Sequence, residues 1–203
     1  MTESTAEARG RGRPRSEKAQ KAILAAAIDL LLEQGLHAMS MDAVAERAGV
    51  SKATIYRWWP SKELLALDAL ATEWQVTSSP DATRDTGSLR GDLLARLRPW
   101  LRLLRDKPYG RVVAGLVATA QADAEFAELY LERFVRPRRD AMRPILLRAI
   151  DRGEIPRNID LEVALDLIYG PIYHRMLHGH APLDERFARN VVDTILAGIA
   201  PGV

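Results

Sequence analysis

The sequence predicts an all-α fold, on three observations. Apolar residues recur at helical spacing from Ser16 almost to the C-terminal end. No stretch alternates apolar and polar residues as a half-buried strand does. Three serines, Ser40, Ser51 and Ser61, each stand just before a helical pattern. A serine in that place accepts an early backbone N–H that the helix cannot satisfy internally, so repeated caps describe short, compactly joined helices. A length of 203 residues suits one domain, or two small ones sharing a core.

The elements follow in order. Residues 1–15 are rich in Arg and Gly and read as a disordered basic arm. From Ser16, the residues Ala19, Ile23, Ala26, Ala27, Leu30 and Leu31 form one stripe, with Lys18, Lys21, Asp29 and Glu33 off it; Gly35 is placed to stop this helix in a left-handed cap. A second helix starts at Ser40, carries Met41, Val44, Ala45 and Ala48 on one face, and ends at Gly49. A third starts after Ser51 and ends at Trp59-Pro60. A fourth follows Ser61 through Leu64, Leu65, Leu67, Leu70 and Trp74. The polar stretch from Ser78 to Gly87 is the best internal boundary. Beyond it the spacing predicts helices over about 88–106, 109–121, 124–151, 160–178 and 184–199, the third kinked or split by Pro137 and Pro144. The chain therefore divides into an arm (1–15), a helix-turn-helix unit with a connecting helix (16–77) and a helical body (78–203).

Charge is unevenly spread. Between Arg9 and Lys62 stand ten basic residues and five acidic ones, a balance of +5 against +2 for the whole chain, so the remainder is net acidic. A basic N-terminal unit on an acidic body points to a polyanion at that end. With no cysteine there is no disulfide and no thiolate metal site. No apolar run is long enough to span a bilayer and no secretory pattern opens the chain, so a cytoplasmic protein without a membrane partner is expected. No phosphate loop, Gly-x-Ser-x-Gly or His-Glu-x-x-His occurs, and the carboxylates are scattered, so neither an enzyme nor a cofactor is expected.

The second and third helices are joined by Gly49-Val50-Ser51, the turn length a helix-turn-helix needs. Ile55 and Trp59 face inward. Lys52, Ala53, Thr54, Tyr56 and Arg57 lie on the outer arc, where a small residue permits close approach and hydroxyls and cations reach bases or phosphates. Spacing alone also fits a helical hairpin with a polar outer face.

The run from Ser40 to Lys62, SMDAVAERAGVSKATIYRWWPSK, closely resembles the DNA-binding signature of the TetR family, and the helix ending in Glu-Gln-Gly-Leu-His fits it too. The strong match covers about residues 17–70. The resemblance implies an N-terminal three-helix, homeodomain-like unit and a C-terminal ligand and dimer domain. It implies that Lys52, Ala53 and Thr54, after Ser51, begin the helix that meets base edges. It also implies that Tyr56 touches backbone or base, that Lys62 meets a phosphate, and that Ser40 caps a helix beside one. Ala53 stands where the family often has glycine, and Trp58-Trp59 where it often has His-Phe; the Trp58 indole can still donate to a phosphate. Arg11-Gly12-Arg13-Pro14 looks like an AT-hook core, an extended strip suited to a narrow minor groove, with a solvated tail as the plainer alternative.

In the body, Leu161, Leu165, Ile168 and Ile172, with Phe187, Val191 and Ile195, give two apolar faces for a dimer interface or for core packing. The resemblance implies an effector pocket amid the middle helices, for which Trp74, Trp100, Tyr109, Tyr169, Tyr173 and Met176 are the candidate lining. His174 and His178 are four apart with His180 beyond, but no acidic third ligand is evident, so no metal is expected. The expectation is a homodimeric regulator that binds palindromic operator DNA, a repressor released by a small-molecule effector. The alternatives are a protein–protein adaptor and a ligand-independent architectural DNA binder.

Overall fold

The computed structural model describes residues 13–77, 84–106 and 108–199. Its helices are α1 (Arg13–Ala38), α2 (Met41–Ala48), α3 (Lys52–Tyr56), α4 (Lys62–Thr77), α5 (Leu89–Asp106), α6 (Tyr109–Ala122), α7 (Ala124–Tyr130), α8 (Arg136–Asp151), α9 (Leu161–His178) and α10 (Glu185–Ile199), with a π-helical turn at Leu131–Val135 between α7 and α8. No strand occurs among the described residues.

Three boundaries differ from expectation, each for a local reason. α1 begins at Arg13, not Ser16, because Pro14 suits a first turn, where its missing N–H costs nothing. Gly35 does break α1, but at φ 79°, ψ 170°, a conformation open essentially to glycine alone and not the left-handed cap. The chain then turns once more, with the Met39 amide donating to the Gly35 carbonyl at 3.2 Å. α3 loses regular geometry after Tyr56, although the Trp58 and Trp59 amides both still donate to the Ile55 carbonyl at 2.9 Å. The expected split of helix 124–151 falls just before Pro137. Pro137 cannot donate to the carbonyl four residues back, and the Arg136 amide reaches five back, to Leu131. Pro144 is accommodated within α8.

The molecule has two hydrophobic cores, and they do not follow the division at residue 78. The first joins α1–α4 to α6, α7 and Phe134 of the π turn; the second joins α5, α8, α9 and α10. Each fully buried Leu or Ile in them contributes roughly 1.5–3 kcal/mol relative to exposure. α6 packs on α1 because Gly115 has no side chain: a Cβ there would lie 3.2 Å from Leu36, tighter than ordinary contact. Leu104 and Tyr173 touch the margins of both cores and mark the seam between them.

Asp92 is fully buried and fastens the start of α5 to the end of α8. Its carboxylate accepts the Thr86 amide and hydroxyl, both at 2.7 Å, and meets Arg152 at 3.2 Å and Arg148 at 3.4 Å. Burial alone pushes this carboxyl up, but the Thr86 hydrogen bonds and the two guanidiniums together hold it below its ordinary value. A depressed carboxyl adds stability above its unfolded pKa and loses it as pH falls through the folded one. Asp92→Asn should therefore cost about 1–3 kcal/mol in urea unfolding at neutral pH. The gap to the parent should narrow from about pH 5 towards about pH 2; a constant gap would mean that the charge contributes nothing.

Candidate DNA interface and ligand seam

The two caps set the helix-turn-helix. The Ala43 amide donates to Ser40 Oγ at 3.2 Å, opening α2, and Gly49 closes it in the left-handed region at φ 65°, ψ 36°. The Thr54 amide donates to Ser51 Oγ at 3.2 Å, opening α3, and the two hydroxyls lie 2.9 Å apart. Ile55 and Trp59 are buried beneath α3. Lys52, Ala53, Tyr56 and Arg57 face outward, Tyr56 at 48 % exposure despite its size, while Thr54 and Trp58 are half-buried. The Arg57 guanidinium stands 4.9 Å from the Trp58 ring centroid.

Two cations expected to meet DNA, Lys52 and Lys62, also hold the unit together, as does Arg47. Lys52 pairs with Asp42 at 2.7 Å, joining α3 to α2, and Arg47 pairs with Glu33 at 2.7 Å, joining α2 to α1. Lys62 Nζ donates to the His37 carbonyl at 2.9 Å and to that of Met39 at 3.4 Å, so it seals the frayed end of α1 rather than projecting outward. Arg11 lies outside the described residues. Arg13 and Pro14 are helical, so the extended Arg-Gly-Arg-Pro strip expected of the arm does not run through them.

Sequence reasoning missed the link from this unit to the body. Trp59 Nε1 donates to Asp68 on α4 at 2.8 Å, and Arg133 of the π turn donates to the same carboxylate at 3.0 and 3.2 Å. The residue that anchors α3 and a residue beside the seam thus share one acceptor.

The seam holds a closed cavity of about 10 Å³, room for about one water, lined by Trp74, Trp100, Tyr109, Tyr173 and Met176 together with Glu73, Phe134 and Arg138. Five of the six expected pocket residues meet there. The sixth, Tyr169, lines an adjoining open cleft of about 380 Å³ with Tyr130, Arg138, Gly170 and Tyr173. Trp100 stacks edge-on to Trp74 and Tyr169 at 5.6 and 5.7 Å. Tyr109 donates to Glu73 at 2.8 Å, and its burial with that carboxylate raises its pKa; burial likewise raises Tyr169, to about 12.

The residues expected at a dimer face are turned largely inward in the single chain. Leu165, Ile168 and Ile172 have no exposed surface; they fill the second core of their own protomer, and Phe187, Val191 and Ile195 are buried beside them with Leu161 half-buried at the margin. The outward apolar residues of α9 are Val163, Leu167 and Leu177, at 52 %, 47 % and 42 % exposure, on the opposite side of the helix from the expected stripe. The His174 ring lies 4.7 Å from that of His178 and 5.1 Å from that of His180, yet no group of three such side chains is arranged to hold a metal among the described residues.

Residues 23–69 match the family model of bacterial regulatory proteins of the tetR family, and residues 83–195 match that of the tetracyclin repressor-like C-terminal domain. This chain belongs to the TetR family. It is 41 % identical over 190 residues to the HTH-type transcriptional regulator YdeS of Bacillus subtilis, an alignment covering 93 % of each chain. It is 33 % identical to the DNA-binding transcriptional repressor TetR of Mycobacteroides abscessus, over 93 % of this chain and 97 % of that one. The crystal structure of the TetR family transcription regulator SCO0332 superposes with a TM-score of 0.76 at 36 % identity, over 91 % of this chain and all of the other. The protein is a helix-turn-helix, DNA-binding transcriptional regulator of this family, and its relatives are regulators rather than enzymes. No helix among the described residues is long and apolar enough to cross a membrane.

The shared acceptor yields a prediction within this TetR member. Asp68→Asn still accepts the Trp59 indole and loses only an exposed ion pair, worth about 0.2–1 kcal/mol. Asp68→Leu orphans a buried N–H and should cost about 1–3 kcal/mol. Equal urea midpoints for the two variants would show that the indole bond adds nothing.

Proposed function

We propose that this TetR regulator is a repressor that binds a palindromic operator as a homodimer and leaves it when a small molecule enters the seam between its cores. One observation carries the DNA reading: the exposed arc of α3, with Ala53, Tyr56 and Arg57 held outward by buried Ile55 and Trp59. A small residue flanked by a phenol and a guanidinium suits base edges and phosphates in a major groove. The repressor reading draws on the Mycobacteroides abscessus relative. Ser40, Ser51, Lys52, Thr54 and Trp58 would contribute from the rim, Lys62 would do so by leaving the α1 carbonyls, and Arg11 and Arg13 would add phosphate contacts. In a dimer the two recognition helices would enter successive major grooves about 34–36 Å apart. Residues 16–77 would form the DNA-binding unit and 78–203 the effector and dimer unit, acting in the cytoplasm.

Leu167 and Pro171 of α9, facing Asn190, Thr194 and Gly198 of α10, with exposed Val163 one turn before Leu167, offer the partner surface: large apolar residues beside small ones that permit close approach. An effector would act through the Arg133–Asp68–Trp59 link, by favouring a body conformation in which the π turn no longer holds α4 in its DNA-binding position. The small closed cavity favours a ligand-independent DNA binder, but the cleft beside it lies within the usual size range of ligand sites, about 300–1,000 Å³.

Fluorescence anisotropy on the gene's own upstream DNA, against scrambled competitor, tests this. Tyr56→Ala with Arg57→Ala should weaken specific binding by about tenfold or more with the fold intact, while unchanged binding would favour the adaptor. In the same titrations, removing residues 1–12 should flatten the salt dependence. Leu167→Glu should convert the dimer to monomer in sedimentation and weaken operator binding together with it. A dimer that survives this change would move the interface elsewhere.

A further inference from the structure

We propose that the seam recognises an organic acid, a small molecule with an aromatic or apolar body whose carboxylate pairs with Arg138. This rests on the reading of the seam as the effector site and adds its ligand chemistry.

Arg138 and Arg96 are 5 % and 4 % exposed. A guanidinium so buried ordinarily comes with a carboxylate, because taking an unpaired charge out of water is costly. Neither has one among the described residues. Nε of both, and Nη2 of Arg96, have no hydrogen-bond partner, and Arg138 Nη1 reaches only the Tyr173 hydroxyl, at 3.4 Å. The neighbouring acids are engaged elsewhere: Glu73 accepts Tyr109, and Asp166 is held by Arg139. Both guanidiniums lean on the same indole, at 5.1 Å for Arg96 and 4.1 Å for Arg138, and Arg138 also lies 3.2 Å from the Phe134 ring centroid. Aromatic faces offset part of the desolvation but supply no counter-charge. Two like charges therefore stand around Trp74 with tyrosine hydroxyls beside them and no carboxylate.

The missing anion has a route. Arg138 and Tyr173 belong to both the closed cavity and the open cleft, so a group entering the cleft meets the guanidinium at its inner end. The rest of the cleft is Val117, Val135, Tyr130 and Tyr169, walls for a ring or chain, with Gly170 and the paired Arg139 and Asp166. Nothing lies within 4 Å of where a Gly170 side chain would begin, which leaves the cleft open. Those apolar walls favour a carboxylate with a hydrophobic body over inorganic phosphate. Pairing would draw Arg138 off Phe134, a residue of the same π turn as Arg133, which holds Asp68.

The test is calorimetry on the full-length protein with benzoate, trans-cinnamate, 2-naphthoate and decanoate, each against its primary amide at fixed ionic strength. At least one acid should bind about tenfold tighter than its amide, and Arg138→Met should abolish that preference, since a bidentate charged pair is among the strongest polar contacts. Circular dichroism and operator binding check that the variant folds. If it does not, Arg138→Lys should keep the preference for acid at reduced affinity, having the charge without the fork. Amides that bind as well as acids, acids that do not bind at all, or a preference that survives Arg138→Met would each overturn the proposal. Operator binding in the same preparation separates the two readings: an operator released by neutral compounds alone sinks the organic acid and leaves the repressor, whereas a carboxylate preference without operator binding does the reverse.

Discussion

The position of the recognition helix depends on a hydrophobic core that ignores the boundary between the DNA-binding unit and the body. Ile55 and Trp59 below α3 share that core with Val112, Val113 and Leu116 of α6 and Phe126 of α7. Leu36 and the bare backbone of Gly115 make the join close enough that one added methyl group would have to displace Leu36 by a few tenths of an ångström. α3 is therefore not a module hinged on a linker. It is seated on helices that also wall the ligand seam, and close-packed interiors pass a displacement on rather than absorb it.

Charged groups are used in two opposed ways. Asp92 is buried with donors on each side and welds two helices together. Arg96 and Arg138 are buried around Trp74 without such compensation, and Arg138 lines the cavity at the seam. The contrast separates a structural charge from one held in readiness, because an uncompensated interior charge persists only where the surrounding packing imposes it.

Most of the fold was legible because its signals are local. Ser40, Ser51 and Ser61 mark helix starts by what their own hydroxyls can reach, and Gly49 marks an end by a conformation other residues resist. The outward arc of α3 followed from the inward spacing of Ile55 and Trp59. Five of the six cavity residues were legible as aromatics and a methionine at helical spacing. What covers the apolar faces of α9 and α10 was not: an apolar stripe shows that a face is buried, not whether the same chain or another copy buries it, and Leu165, Ile168 and Ile172 pack in the protomer's own core. Arg96 and Arg138 did leave a trace, since each interrupts an apolar stripe, Arg96 between Leu93 and Leu97 and Arg138 ahead of Met142 and Ile145. The Trp59–Asp68–Arg133 link left none, for it joins residues 65 apart in the chain that only the folded state brings together.

The π turn at Leu131–Val135 amounts to an α-helix carrying one residue too many. Each residue of a helix turns it by about 100°, so losing one residue there would restore an unbroken helix from Ala124 onward and rotate everything after it by that angle. Arg138 would swing from its place over Phe134 and Trp74 to another side of α8, with the hydrophobic composition of the chain almost unchanged. The buried face of α8, Met142, Ile145, Leu146 and Ala149, would turn by the same angle, so the length of this segment, and not only its residue types, fixes which side of α8 enters the second core.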